Sequence, residues 1–348
     1  VAHVTSGRSL PAIGWALLAA APPARADLTQ EYVSWALQGD LLRARMRFEA
    51  TADSVLTPSE RELAQRFRER FVLRTEEPPL PDDAFARDVV RAYRDYWTRS
   101  LLHELAKDEG ETFLRASLER VLARHRVAAP DSADAFDRMG GELARRGLHH
   151  LGGVTLPYFE LMLWSGQDTT HYEVQLSDAV QPVDVVFLSD FIVRGWAHYA
   201  TFGRASTGGW ATENALFCLR EDYDLDSEKF LVSYLQHEAR HFADYARFPE
   251  LEQIDLEYRG KLTELVFAQD SQRSLLQHFE SAGAANESAP HAYANWAVMQ
   301  DVGRALDGAA WKDAESDAIR KIARELLEAN TAELVEAGAD TVRRVVGR

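Results

Sequence analysis

The sequence predicts an α+β fold that is mostly helical, with a small antiparallel sheet ahead of a pair of closely linked helices. Three observations predict it. From Leu28 to about His150, apolar residues recur at three- and four-residue spacing. From Leu151-Gly152-Gly153 to Glu221 the pattern changes to short alternating or β-branched runs. From Ser227 to the end the helical period returns.

The chain has 348 residues, 46% of them hydrophobic and 27% charged, which is a globular composition with room for one large domain or two ordinary ones. Its net charge of −16 repels phosphate backbones, so nucleic acid is excluded as a partner. The single cysteine, Cys218, sits in the apolar run Ala215–Leu219 and reads as a small buried hydrophobe. One thiol also excludes an internal disulfide and any multi-cysteine metal site. Any metal must therefore be held mainly by His, Asp or Glu.

The first element, residues 1–26, reads as a leader. Arg8 precedes the apolar stretch Leu10–Ala21, then Pro22-Pro23 and Ala24-Arg25-Ala26, an A-x-A pattern before Asp27. That is the layout of a secretory signal peptide, too short for a bilayer span. Cleavage after Ala26 would leave a periplasmic or secreted chain, with no other stretch long and apolar enough to cross a membrane. Residues 27–150 read as a helical region. Its stripes include Tyr32, Trp35 and Ala36; Leu63, Phe67 and Phe71; and Val89, Tyr93, Tyr96 and Trp97. Its breaks fall at Thr57-Pro58-Ser59-Glu60, where Thr57 can cap a helix, at Glu76–Asp83, and at Ala129–Ser132. In the region 151–348, strands are expected at Tyr172–Leu176, Val183–Leu188, Gly195–Phe202 and Ala211–Leu219, within a sheet spanning 151–221. Helices over 227–270 and then 271–348 complete it.

The segment that carries chemistry begins at Phe230 and contains His237-Glu238-Ala239-Arg240-His241. On a helix, residues four apart share a face, so two neutral imidazoles can reach one zinc ion while Glu238 takes a proton from water beside it. Arg240 fits an inner position only if it meets solvent or a carboxylate. Phe248-Pro249 ends the helix, and periodicity resumes from Ile254. For an antiparallel hairpin turning at Pro249, His241 lies eight residues before the turn and Glu257 eight after, at the same height. Glu257 is therefore the expected third ligand. Glu264 shares its face about 10 Å further on, as the alternative ligand or a supporting carboxylate.

The stretch Phe230–Leu265 resembles the paired active-site helices of gluzincin-type zinc metallopeptidases, and the surrounding fold is accordingly expected to be zincin-like. The resemblance covers about a tenth of the chain and matches no named peptidase family. It implies Zn2+ held by His237, His241 and Glu257, with Glu238 as general base and a peptide or protein as substrate. It also implies an edge strand along which substrate binds, for which Gly208–Ala215 is in the right place. Asp244 is a candidate to orient an imidazole, and His291 or Tyr293, opening a later helix, to stabilise the oxyanion. His149, His150, His171, His198 and His278 read as structural or surface groups. Two other functions remain open. One is a non-catalytic helical binding protein with structural zinc or none. The other is a zinc hydrolase acting on a non-peptide amide.

Overall fold

The computed structural model describes residues 27–106, 109–128, 133–212 and 215–347. The expected leader and its cleavage site lie outside the described residues, as do Ala129–Ser132 and Glu213-Asn214. The described residues are 57% helical with a small mixed sheet, so the fold is α+β and mostly helical. The sheet is mixed, whereas alternation along single strands had suggested an antiparallel one. Among the described residues no helix is long and apolar enough to cross a membrane. The described residues divide into two compact units, one within 27–167 and 188–207, the other within 168–187 and 208–347.

The N-terminal unit is built on helices α1 (Leu28–Leu37), α2 (Leu41–Glu49), α3 (Pro58–Phe67), α4 (Ala84–Leu101), α5 (Glu109–Arg124) and α6 (Ala135–Arg145). Their starts are encoded locally. Thr57 accepts from the Glu60 amide while the Glu60 carboxylate accepts from the Thr57 amide, with Pro58 at the first helical position. The Asp27, Asp83 and Asp134 carboxylates cap α1, α4 and α6 by accepting from the Thr29, Ala86 and Asp137 amides. A π-helical turn, Arg68–Val72, extends α3. The core gathers the expected stripes, including Tyr32, Phe67, Phe71, Val89, Tyr93 and Trp97. Trp97 is fully buried and its indole N–H donates to the Phe159 carbonyl at 2.8 Å. Replacing such a side chain by alanine costs about 3–5 kcal/mol.

Strands β1 (His149–Leu151), β2 (Val154–Thr155) and β3 (Tyr158–Phe159) precede two long ones, β4 (Met162–Gln175) and β5 (Val180–Arg194). The strands expected at Tyr172–Leu176 and Val183–Leu188 are thus parts of a longer hairpin, whose stretch Ser165–His171 is too polar to read as a strand. In the N-terminal unit β1 pairs antiparallel with β4, matching His149 to Trp164. Gly195–Phe202, expected as a strand, is instead helix α7 (Gly195–Ala200) followed by a turn. The buried Glu160 carboxylate accepts from the Trp196 amide at the start of this helix. Trp196 and Ala200, four residues apart, then share its buried face.

In the C-terminal unit the strand order is β4-β5-β7-β6, with β6 (Gly209–Ala211) at the edge and β7 (Leu216–Leu219) inside it. Cys218 is buried, and that burial pushes its thiol up to about 12. Helix α8 (Glu228–Phe230), capped by Ser227, runs through a π-helical stretch, Leu231–Gln236, into α9 (His237–Arg247). Phe248 leaves the helical conformation just before Pro249 and packs in a small core with Leu251 and Leu256. Helix α10 (Gln253–Phe267) follows, then α11 (Gln272–Ala282), α12 (Pro290–Ala305) and α13 (Ser316–Ala337). Helix α10 packs against α9, α12 and α13 and is buried on almost every side, which suits a central helix rather than an amphipathic surface one.

Candidate metal centre

A central helix should be apolar all round, yet α10 buries Asp255, Glu257, Arg259 and Glu264. A buried charge is strongly unfavourable unless it is paired, so each must have a partner. Arg259 makes a two-pronged ion pair with Asp244 of α9, Nε to Oδ2 at 2.7 Å and Nη2 to Oδ1 at 2.9 Å. Its remaining donors go to Asn330 and Thr331 of α13. Asp255 accepts from the Val345 and Val346 amides. This framework clamps α10 to α9 and α13 and fixes the register of the helix pair.

That register brings the motif together. Two imidazole nitrogens and a Glu257 oxygen, from His237, His241 and Glu257, lie within 4.8 Å of one another. His237 Nε2 is 3.4 Å from Glu257 Oε2 and His241 Nε2 is 3.5 Å from Oε1. The two imidazole rings meet edge to face. All three residues are buried. Glu257 is level with His241, as a turn centred on Pro249 requires.

Glu264 lies one step behind. Its Oε1 accepts from His237 Nδ1 at 2.7 Å and from Lys261 Nζ at 2.8 Å. Donation from Nδ1 leaves His237 Nε2 turned towards Glu257, the arrangement that orients a metal-binding imidazole. Burial pushes the Glu264 carboxyl up, but the Lys261 ammonium and His237 outweigh it and hold the group at about 2. Burial and Lys261 push the His237 imidazole down, and hydrogen bonds to Glu257 and Glu264 reverse this and raise it to about 9. Burial likewise pushes Glu257 up, and the His237, His241 and His291 imidazoles hold it well below the usual carboxylate range. For Glu238 burial prevails and the carboxyl is raised.

The donor set fits a metal ion. Both ring nitrogens of His241 and Oε2 of Glu238 are buried without a hydrogen-bond partner. Such orphaned groups are uncommon in native proteins and mark a missing partner. Two imidazoles with one carboxylate suit zinc or another borderline transition ion better than calcium or magnesium, which take oxygen ligands.

Of the other residues singled out by sequence, His291 reaches the site, with Nδ1 2.7 Å from Glu257 Oε2 and its side chain part-exposed. Tyr293 does not. It is buried against Trp296 and under the Arg344 guanidinium. Asp244 orients no imidazole and instead holds Arg259 and, at 3.5 Å, Arg240. Arg240, the charged residue inside the motif, is buried between Asp178 and Asp244, which meets the condition for its position. Of the expected substrate strand, Gly209–Ala211 is the edge strand β6. The glycine serves close approach, because a Cβ at 209 would sit 2.4 Å from the Phe217 carbonyl and 2.9 Å from the Tyr234 hydroxyl. Tyr234 belongs to the π-helical stretch leading into His237 and donates to the Phe217 carbonyl, which ties β7 to the motif helix.

Sequence reasoning missed Lys261, Arg259 and Gly260. A Cβ at 260 would lie 2.6–2.9 Å from three atoms of the His237 ring, so glycine is what lets that imidazole lie against α10. A glycine inside a helix costs about 1 kcal/mol relative to alanine. Its position between Glu257 and Glu264 was the available signal.

Compared with models of protein families, with curated proteins and with solved structures, the chain matches none.

Proposed function

We propose that the chain is a zinc-dependent peptidase in which His237, His241 and Glu257 hold the metal and Glu238 is the general base. One observation supports it above others. A two-histidine, one-carboxylate donor set converges within 4.8 Å, beside a buried glutamate on the same helix as the histidines. Zinc, when bound, would polarise water and the substrate carbonyl. Glu238 would accept the proton of the attacking water and return it to the leaving amine, and its raised pKa suits a group that must do both. His291 would donate to the negative charge developing on the carbonyl oxygen. Strand β6 offers an edge along which an extended peptide can pair through its backbone.

The depth of the site favours a second reading. His237 is 4% exposed and Glu257 2%, which suits a closed structural zinc as well as a catalytic one. Metal analysis of the purified protein, set beside cleavage of a denatured protein substrate, separates the two. The peptidase reading expects about one zinc per chain, and a Glu238→Gln variant that keeps the metal and loses turnover. Zinc without turnover in the unaltered chain supports the structural reading. Absence of metal, or full turnover in Glu238→Gln, refutes the peptidase.

A further inference from the structure

The N-terminal unit holds a cavity of about 370 Å³ whose lining includes Arg66, Arg70, Arg94 and Arg194. None of its lining residues, among those described, is acidic. This is unexpected in a chain of net charge −16. Two of the guanidiniums lie over one ring: Arg66 is 4.6 Å and Arg70 4.3 Å from the centre of Phe202. Arg70 is also 5.1 Å from the Tyr199 ring centre, and Arg94 6.0 Å. Converging like charges repel, more strongly as water is removed.

The compensation is incomplete. Arg70 is paired with Glu76 at 2.6 Å and donates to the Tyr199 carbonyl. Arg94 donates only to the Pro78 and Pro79 carbonyls, and its Nε is buried without a partner. Burial, with Arg70 nearby, lowers the Arg94 pKa. The described contacts of Arg66 include no carboxylate within ion-pair distance. Two backbone features coincide here. Arg70 lies on the π-helical turn Arg68–Val72, and Phe202 has φ of +54°. Both π-turns and left-handed non-glycine residues carry a local cost and are enriched at binding sites.

We propose that this cavity binds a small organic oxyanion, a carboxylate or phosphate group carried on a flat or branched apolar body. Planar guanidiniums bind such oxygens in pairs, and an anion would relieve the repulsion among them. Much of the remaining wall, including Phe191, Ile192 and Val193, is apolar and suits the body of the ligand, with His198 the one further ionisable side chain among the described lining residues besides Tyr199.

Calorimetric titration of the full chain with phenyl phosphate, benzoate, inorganic phosphate and benzyl alcohol tests this. Phenyl phosphate or benzoate should bind at one site per chain, more weakly as salt rises, and the tighter of the two identifies the head group. Benzyl alcohol should not bind. Arg66→Gln and Arg94→Gln should each weaken binding at least tenfold, which also places the ligand away from any metal. Arg66 is only half-buried, so its variant keeps the test sound if Arg94→Gln fails to fold. Failure of both organic anions to bind at millimolar concentration, or unchanged affinity in Arg66→Gln, overturns the proposal. So does inorganic phosphate binding as tightly as phenyl phosphate, or benzyl alcohol binding as tightly as the anions.

Discussion

The two candidate sites treat buried charge in opposite ways. In the C-terminal unit every charged residue of α10 meets a partner of opposite sign or a hydrogen-bond donor, and ligand atoms of His237, His241 and Glu257 converge on one small space. In the N-terminal unit four guanidiniums line one cavity; Arg70 pairs with Glu76, while Arg94 reaches only the Pro78 and Pro79 carbonyls. The first pattern is a closed network with room for a cation. The second is an unbalanced field that an anion would complete. A site's charge excess thus indicates the sign of what it lacks.

The contrast can be broken at several points. The largest effect is expected from Glu257→Ala, which should lose zinc to a mild chelator and, with it, all hydrolysis. Retention of zinc after dialysis would show that Glu257 is not a ligand. Next is the clamp. Arg259→Leu leaves Asp244 buried without its main cation and should destabilise the fold by about 3–5 kcal/mol, read by chemical denaturation. A loss below 1 kcal/mol would mean that the network does not hold the helices.

The third test uses Glu160, a buried carboxylate of the N-terminal unit raised by burial from 4.5 to about 7, against the opposing hydrogen bonds from the Trp196 and Leu161 amides. Between those two values the folded form binds more protons than the unfolded one. Stability from this group is therefore fully present below pH 4.5 and lost as pH rises through 7. Glu160→Gln should flatten that decline and stabilise the protein at pH 8, by at most about 3 kcal/mol. An unchanged pH profile would remove Glu160 from the account.

Glu264→Gln comes fourth. It should weaken zinc binding ten- to a hundred-fold without emptying the site, since it disturbs only the orientation of His237. If Glu264→Gln empties the site and Glu257→Ala does not, the two glutamates exchange roles. The smallest effect is expected in the arginine cavity. Without ligand, Arg66→Gln should leave the melting temperature unchanged or raise it slightly, because it relieves repulsion. A clear fall would show that Arg66 is structural.

Legibility in the sequence followed how local each feature is. The caps at Thr57 and Asp83, the helical stripes and the triad of His237, His241 and Glu257 were readable because each rests on residues within one or two adjacent elements. Helix α7 was not, because its aromatic run has strand propensity and its start depends on Glu160, more than thirty residues earlier. The polar stretch Ser165–His171 of β4 was hidden because exposed strand residues carry no apolar alternation. The arginine cavity draws on α3, α4 and the segment around α7, and no spacing rule joins Arg70 to Phe202.

The π-helical stretch Leu231–Gln236 also bears on how the chain tolerates a change in length. Its wider winding holds one residue more than an α-helix needs over the same rise. Deleting one residue there lets the segment close into ordinary α winding while Phe230 and His237 keep their facing. Deleting one between His237 and His241 swings an imidazole about 100° away from its mate. The same single-codon loss is therefore absorbed in the six residues just before His237 and destroys the motif after it, so the slack in this helix lies next to its least negotiable turn.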